Sequence, residues 1–358
     1  MPAKSVAVVG GGIFGCLISL KLAENGFAVT LYEQQSELMK GASDINQYRL
    51  HRGYHYPRSS ETIAGCIDGA ESFTREFGED VLVNDLGHYY AIASEGSMTS
   101  PEQYAAVIRA HHLLCEEVSL PALNPDMVSL TIRAHEAVWD PKKLRKIVLD
   151  RVAASGIEVQ LGKRVELKDL DHHDHIVFAT YTSNNLAYGD DESSYKQYQF
   201  ELCEKLVIEP PAHLVGLSIV VMDGKFMCID PFGQDTGMSV VGSVEHAIHS
   251  RQFGFFPVTP PEYQHLLNRG VVPNPSPSKA QLILEDAERY MPGIASSRLV
   301  GSMFTYRTVL PGREKDDARP TFLTTVEEGR ILTVFSGKIC TCVKAAEGVV
   351  MICQGWNN

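Results

Sequence analysis

The sequence predicts an α/β chain, α+β overall, and three observations predict it. The first residues alternate strand, glycine turn, helix and strand. Asp140-Pro141 opens a helix that is followed by short apolar runs at 157–161, 164–167 and 176–180. A β-rich stretch at about 198–246 then carries apolar runs separated by turns such as Asp223-Gly224.

Each element follows from its residues. Ser5 to Val9 is an apolar run with β-branched valines, a buried strand. Ile13 to Asn25 sets Phe14, Leu17, Ile18 and Leu22 at helical spacing, with Gly26 as the stop, and Phe27 to Glu33 is a second strand. Residues 34–60 are loop-like and dense in His, Tyr and Arg. Residues 61–78 read as a helix, Val81 to Ala93 as strands running through Leu86, 101–118 as a helix and 121–126 as a linker. Asp140 caps a helix with Pro141 in its first turn, and Gly156 ends it after Ala154. Residues 183–197 are polar, the Pro-rich stretches 257–261 and 273–277 are loops, and 278–291 is a helix. The last strands cover 299–309, 321–326 and 330–335, and a helix starts near Ile339. There is no internal repeat and no low-complexity tract.

With 358 residues the chain exceeds the ~250–300 that one core usually supports, so two domains are expected. A net charge of −12 repels phosphate backbones and anionic lipid, so no nucleic-acid partner is expected; a local basic pocket is still compatible with it. The eight cysteines form no CxxC pair, which suits free thiols in a reducing, cytoplasmic setting; Cys340 and Cys342 are two apart, so a strand would put both on one face, where a redox pair is the alternative to small buried residues. The N-terminal apolar stretch is broken by three glycines and Lys21, unlike a signal peptide. No apolar run reaches ~18 residues, so no integral membrane segment is expected.

Gly10-Gly11-Gly12-Ile13-Phe14-Gly15 satisfies GxGxxG between a strand and a helix. Gly10 permits the tight turn, Gly12 lets a pyrophosphate approach the backbone, and Gly15 lets helix and strand pack closely. Ile13 and Phe14 open a helix whose free N–H groups and partial positive charge suit phosphate. Glu33, followed by Gln34, closes the second strand 18 residues after Gly15, where a carboxylate accepts both ribose hydroxyls. A glycine-rich turn without a ligand is the plain alternative, and these residues alone leave FAD and NAD both open.

Later segments narrow the choice. Val6–Glu33 resembles the N-terminus of the D-amino-acid-oxidase-like superfamily of FAD-dependent oxidoreductases. Lys40-Gly41-Ala42-Ser43 resembles the loop those proteins use near the FAD pyrophosphate and flavin. Asn46 to Pro57 is similar to the segment of L-2-hydroxyglutarate dehydrogenases that reads Asn, Ser, Gly, two apolar residues, His, small, Gly and an aromatic pair. Asn46, His51, Gly53 and Tyr56 match it, while Gln47, Tyr48 and Arg49 depart. Trp139-Asp140-Pro141 resembles the family's Asp-Pro before a helix. Val177-Phe178-Ala179-Thr180 resembles its strand ending in Ala-Thr-Gly, with Tyr181 in place of the glycine. Ser336-Gly337-Lys338-Ile339-Cys340-Thr341 resembles the Gly-Gly-Lys-Leu-Thr-Thr of FAD-dependent glycerol-3-phosphate dehydrogenases.

The resemblance implies a Rossmann-like FAD-binding domain from residues 1–80, 130–182 and 300–358. It implies a substrate-binding domain, built on a mainly antiparallel sheet, from 81–129 and 183–299. FAD is then the expected cofactor, held by Gly10, Gly12, Ile13, Phe14, Gly15, Glu33, Gln34, Ala42, Ser43, Asn46, Arg49, Val165, Ala179, Thr180, Gly337, Lys338 and Ile339.

A flavin carries the electron chemistry, and the protein binds, orients and tunes. Arg307 occupies a position that resembles the late-strand arginine binding substrate carboxylate in amino-acid-oxidase-like enzymes, with Arg313 and Arg319 as alternatives; an ordinary surface ion pair is the competing reading. His51 is the expected base, because an unperturbed pKa near 6.5 suits proton transfer; a hydrogen bond to FAD or backbone is its other reading, and His55 is the second candidate. Tyr56 is a candidate beside them, with Tyr54, Tyr89 and Tyr90 as pocket walls or plain core. Lys338 and the Gly337–Ile339 backbone suit negative charge on reduced flavin. Asp171-His172-His173-Asp174-His175 reads as a solvated turn, as do Glu245-His246 and His249, so no metal is expected.

The expected activity is hydride removal from a CH–OH carbon of a small, anionic hydroxy acid or polyol derivative. Oxidation of an amine or amino acid at CH–NH, and flavin binding without redox turnover, are the alternatives. The partners expected are a small-molecule substrate and an electron acceptor that the sequence leaves open among oxygen, a quinone and another protein. Covalent attachment of FAD through His or Cys is equally open.

Overall fold

The computed structural model describes residues 3–83, 87–313, 316 and 318–357; Leu86, expected within a strand, lies outside them. The strand Ser5–Val9 is buried on both faces, as a central parallel strand must be. It pairs in parallel with Ala28–Tyr32 on one side and His175–Phe178 on the other. Glu158–Gln160 and Ile331–Ser336 add parallel strands outside these, and Thr321–Glu327 closes one edge antiparallel. Alternation along the first strand separates two layers. Val6 and Val8 pack with the helices Ile13–Glu24, Ser60–Phe77, Pro141–Ala154 and Cys342–Gly355, whereas Ala7 and Val9 pack with Leu170 and Ala187.

The second sheet runs in the order 248–254, 198–209, 239–243, 227–231, 217–222, 87–93, 128–134, 115–117, with 298–309 paired to the other edge of 198–209. Its neighbours are antiparallel except 87–93 beside 217–222. The helix Ala280–Tyr290 covers it with Ile283, Leu284 and Ala287 against Ile229 and Val241. This is the mixed architecture expected, a parallel sheet with helices and a mainly antiparallel second sheet.

Several local expectations need correction. The helix expected over 101–118 ends at Ala110, and Cys115–Glu117 is an exposed edge strand paired with Val128–Ala134. That partner strand and Ala137–Trp139 occupy a stretch with no strand expected, although their β-branched residues favour one. Residues 164–167 form no strand; Leu167–Leu170 is a 3-10 turn. Cys340 and Cys342 sit at the junction of a 3-10 turn and a helix rather than on one strand face, and both are buried. Arg298–Val309 falls mostly in the part of the chain assigned to the first domain, but it bonds along its whole length to Tyr198–Glu209 in the second sheet. No helix of the described residues is long and apolar enough to cross a membrane.

Candidate active site

The glycine turn forms a cradle at the carboxyl end of the first strand. Gly10 has φ +104, a conformation side chains rarely adopt, and a Cβ there would meet the Ala179 carbonyl at 2.5 Å. A Cβ on Gly15 would fall 1.7 Å from the Gly10 carbonyl oxygen. Gly12 differs: its φ of −72 suits any residue, and a Cβ would meet only the Ser43 hydroxyl at 3.1 Å. The space it leaves lies at the N-terminus of the helix Ile13–Glu24, which has no capping side chain of its own and no acidic residue in its first turn. Ile13 N–H donates to Ser43 Oγ at 2.9 Å. Glu33 is tethered beside the turn, accepting Gly11 N–H at 2.7 Å and Gln35 N–H at 2.8 Å. An open cradle, a helix N-terminus and a carboxylate at the second strand's end fit a dinucleotide's pyrophosphate and ribose.

The other expected cofactor contacts lie on several separate segments of the chain. Phe14 is half-buried behind Ile13, and Gln34 is exposed beyond Glu33. Asn46 shapes the loop after Ala42: its Nδ2 donates to the Ala42 carbonyl at 3.2 Å and its Oδ1 accepts Tyr48 N–H at 2.6 Å. Val165 is buried in one cluster with Val9, Tyr32 and Phe178. Ala179 N–H donates to Val9 O at 2.8 Å, and Thr180 donates from N and Oγ1 to Asn184. Tyr181, at the position where the resembling strand ends in glycine, holds φ +55, in the left-handed region that favours glycine, and its hydroxyl accepts Thr308 N–H at 2.9 Å from the strand that carries Arg307. Gly337, Lys338 and Ile339 lie in a loop fastened by Ser336 and Thr341 hydroxyls on the Lys338 backbone.

Arg49, also expected to touch the cofactor, is engaged elsewhere. Its guanidinium is buried away from solvent, 2.8 Å from Asp230 Oδ1 and stacked 5.4 Å from the Tyr90 ring centre, so its charge is spent inside the protein. Beside it lies Glu136, fully buried. Glu136 Oε1 accepts Tyr90 O–H at 2.5 Å and sits 3.4 Å from His51 Nδ1, and Oε2 accepts Arg52 N–H at 2.9 Å. Ser218 O–H donates to Asp230 at 2.8 Å.

His51, His55 and Tyr56 form a ring cluster with centroids 4.9 to 5.5 Å apart. Lys338 Nζ stands 3.1 Å from the Tyr56 ring centre, which brings the two loop segments together. Burial lowers the pKa of both imidazoles, His55 further than His51, and so keeps them neutral; neighbouring Lys338 and Arg49 act in the same direction, and Glu136 opposes them at His51.

A cavity of about 680 Å³ opens against His55, Tyr56 and Gly337 and extends along the second sheet. His51 stands one ring behind its wall. Arg307 lines it, but its Nε–H donates to Glu201 Oε2 at 2.6 Å, and Arg251 Nε donates to the other oxygen at 3.0 Å. Arg313 and Arg319 also line the cavity, and Arg58 closes an end by its ion pair with Asp223 at 2.7 Å. Among the described residues that line it, six cationic side chains (Arg58, Lys225, Arg251, Arg307, Arg313, Arg319) stand with three carboxylates (Glu201, Asp223, Glu245), the reverse of the chain's overall charge. Tyr89 packs at the margin of the second core, while Tyr54 and Tyr90 stack behind His55.

Comparison with known proteins agrees with this geometry. The DAO family, described as FAD dependent oxidoreductase, matches residues 5–325. The chain belongs to that family. It is an FAD-dependent oxidoreductase. The chain is 26% identical over 361 residues to the FAD-dependent monooxygenase FPY4 of Fusarium mangiferae, covering 97% of this chain and 90% of that one. It is 28% identical over 251 residues to the FAD-dependent monooxygenase kojA of Aspergillus flavus, covering 63% and 58%. Its fold matches glycine oxidase from Geobacillus kaustophilus with a TM-score of 0.71 at 15% identity, over 99% and 95% of the two chains. L-alpha-glycerophosphate oxidase from Mycoplasma pneumoniae, solved with FAD bound, matches with a TM-score of 0.70 at 15% identity over the same shares.

Sequence reasoning missed Glu136, Asp230 and Glu201. No motif marks them, and the only local signal is a carboxylate within an apolar stretch, as in Tyr198–Glu209. The solvated turn expected over 171–175 needs correction: His172 is exposed, but His173 is buried and bonds Tyr32 O–H at 3.1 Å, and His175 is buried in the strand His175–Phe178 and bonds the Gly329 carbonyl and Asn357 at 3.0 Å each. His249, also expected in a solvated turn, instead has a buried side chain on the strand Ile248–Gly254 and spends its ring nitrogens on Glu204 and Tyr263.

Proposed function

We propose that this flavoenzyme oxidises a small anionic hydroxy acid or polyol derivative at a CH–OH carbon, with His51 as base and Arg307 as anchor. The observation that carries this reading is the pair of imidazoles kept neutral beside the cavity, one of them next to a buried carboxylate. An alcohol must lose its O–H proton as its carbon gives up hydride, so it needs a base. An amine reaches the same point by shedding a proton to solvent before it binds. FAD, when bound in the cradle, accepts the hydride.

The chain's own groups divide the remaining work. The cationic wall attracts the substrate's anion, and Arg307 with Arg251 holds it. His51 takes the hydroxyl proton on the ring edge away from Glu136. Lys338 supplies positive charge close to Tyr56 and the Gly337 loop, where negative charge on the reduced cofactor is favoured. The resemblance of the His51 and Lys338 segments to hydroxyl-oxidising relatives supports the same reading.

Oxidation at CH–NH is the second reading, supported by fold neighbours named glycine oxidase and L-amino acid deaminase; it uses the same arginines but no base. The name monooxygenase among sequence relatives supports oxygen as the acceptor of flavin electrons. Anaerobic mixing of the FAD-loaded protein with panels of hydroxy acids, polyol phosphates and amines separates these readings. Bleaching of the flavin by hydroxyl substrates alone is expected. Bleaching by amines alone overturns the CH–OH reading, and bleaching by dithionite but by neither panel overturns both.

A further inference from the structure

Glu136 sits in the short connection between Val128–Ala134 and Ala137–Trp139, fully buried. Burying an ionised carboxylate is costly unless partners satisfy it. Here Tyr90 O–H and Arg52 N–H both donate to it, and Arg49 stands 3.9 Å from Oε1. Arg49 is itself balanced by Asp230 at 2.8 Å, so the negative charge of Glu136 is left facing His51. On the histidine, Nδ1 is sealed from solvent on the Glu136 side, while the side chain as a whole keeps 19% exposure. The ring edge opposite Nδ1 is therefore the accessible one.

We propose that Glu136 is a positioning residue for His51: its carboxylate holds the imidazole proton on Nδ1 and leaves Nε2 as the bare, proton-accepting nitrogen at the open edge of the ring. The inference rests on the reading of His51 as base and extends it. As the substrate O–H breaks, its proton forms an N–H bond at Nε2, and the C–H bond breaks to release hydride, which FAD bound in the cradle would accept. His51 becomes imidazolium, and the charge of Glu136 neutralises it without further movement of a proton. The 3.4 Å separation is a resting distance, and such contacts shorten once the ring is charged.

The groups facing His51 set the sign of its titration. Burial acts most strongly and lowers its pKa; Glu136 raises it; Lys338 and Arg49 lower it. His55 and Tyr56 complete the surroundings as ring contacts. Glu136 is held down to about 2 despite its burial, with His51 and Arg49 opposing the desolvation, so it is charged across the working range.

The test uses the FAD-loaded protein with 15N-labelled histidine, the His51 signal being assigned by its loss in His51→Asn. The wild type is expected to show His51 protonated on Nδ1. Glu136→Gln keeps the shape but drops the charge, and is expected to lower the His51 titration midpoint by about one pH unit, tenfold in proton affinity. The same variant slows anaerobic flavin reduction at least about tenfold with KM changed less than about threefold, and Glu136→Asp recovers part of the rate. Tyr90→Phe removes a competing donor from Glu136 and is expected to shift the midpoint upward. A wild-type His51 protonated on Nε2, or a midpoint unmoved in Glu136→Gln and Tyr90→Phe, overturns the role of Glu136 alone. Flavin reduction unimpaired in His51→Asn overturns the base reading beneath it.

Discussion

Glu201 and Arg307 face each other directly across the antiparallel ladder between Tyr198–Glu209 and Arg298–Val309, and their side chains pair at 2.6 Å. The strand on the other side places Arg251 opposite the same carboxylate. One buried acid thus braces two guanidiniums along the cavity. Burial pushes the Glu201 pKa up, but Arg307, Gln199 and Arg251 outweigh it and keep the carboxyl below its ordinary range, so the brace is ionised at neutral pH.

Arg307→Ala is expected to raise KM for an anionic substrate by roughly 10- to 100-fold, the worth of a charge-assisted hydrogen bond, with a smaller effect on kcat. Arg307→Lys recovers little of this, because an ammonium lacks the planar fork. Steady-state kinetics on the substrate found by the anaerobic panel checks it, and an unchanged KM removes Arg307 as anchor.

Two glycines of the cradle separate folding from cofactor binding. A methyl at Gly12 meets only the Ser43 hydroxyl, so Gly12→Ala leaves the Tm of the FAD-free protein within about 2 °C but weakens FAD binding by roughly 10- to 100-fold. Gly15→Ala drives a methyl into the Gly10 carbonyl and lowers the FAD-free Tm by about 5 °C or more. Calorimetry and FAD titration read the two effects apart. Equal losses of Tm in both variants would sink the distinction.

His88 makes stability depend on pH. It is buried on the strand Gly87–Ala93, and desolvation, followed by the charge of Arg49, lowers its pKa to about 4. Above pH 6.5 the ring is neutral in both folded and unfolded chains. As pH falls from about 6.5 toward 4 the unfolded chain gains a proton that the folded chain refuses, so stability is lost, by about 2 kcal/mol at pH 5. Asp230, raised to about 6 by burial, has the opposite sign, losing stability as pH rises through 3.8 to 6. Comparing wild type with His88→Gln isolates the histidine: the variant is expected to lose about 2 kcal/mol less between pH 7 and pH 5 in urea titrations. Parallel curves for the two proteins would refute the assignment.

Lys338 is expected to set the flavin potential. Lys338→Met removes a buried cation from beside Tyr56 and lowers the FAD midpoint potential by on the order of 30 mV, which for two electrons is about 1.4 kcal/mol. Tyr56→Phe retains the ring face and leaves the potential nearly unchanged. Spectroelectrochemical titration measures both, and an unaltered potential in Lys338→Met shows that its charge does not reach the flavin.

The site was legible unevenly. Gly10, Gly12, Gly15 and Glu33 were readable because a βαβ turn is local: its spacing is written in one short stretch. Tyr181 departs from the family pattern, and it holds φ +55, a conformation that favours glycine, while its hydroxyl accepts Thr308 N–H. Arg49 sat within a cofactor-like segment and turned out to serve a buried ion pair, because only packing reveals Asp230 beneath it. The helix over 101–118 was overextended because Cys115–Glu117 takes its strand form from a distant partner rather than from its own pattern.

The sequence by itself determined the cradle, the parallel strands around it and the family to which both belong, since all three rest on spacing within continuous segments. Only the tertiary structure decided which charges meet. Glu201 and Arg307 are 106 residues apart, and Arg52 and Glu136 are separated by 84. Register across a sheet and the burial of a carboxylate behind a histidine depend on where distant strands are laid down, and no local periodicity encodes that.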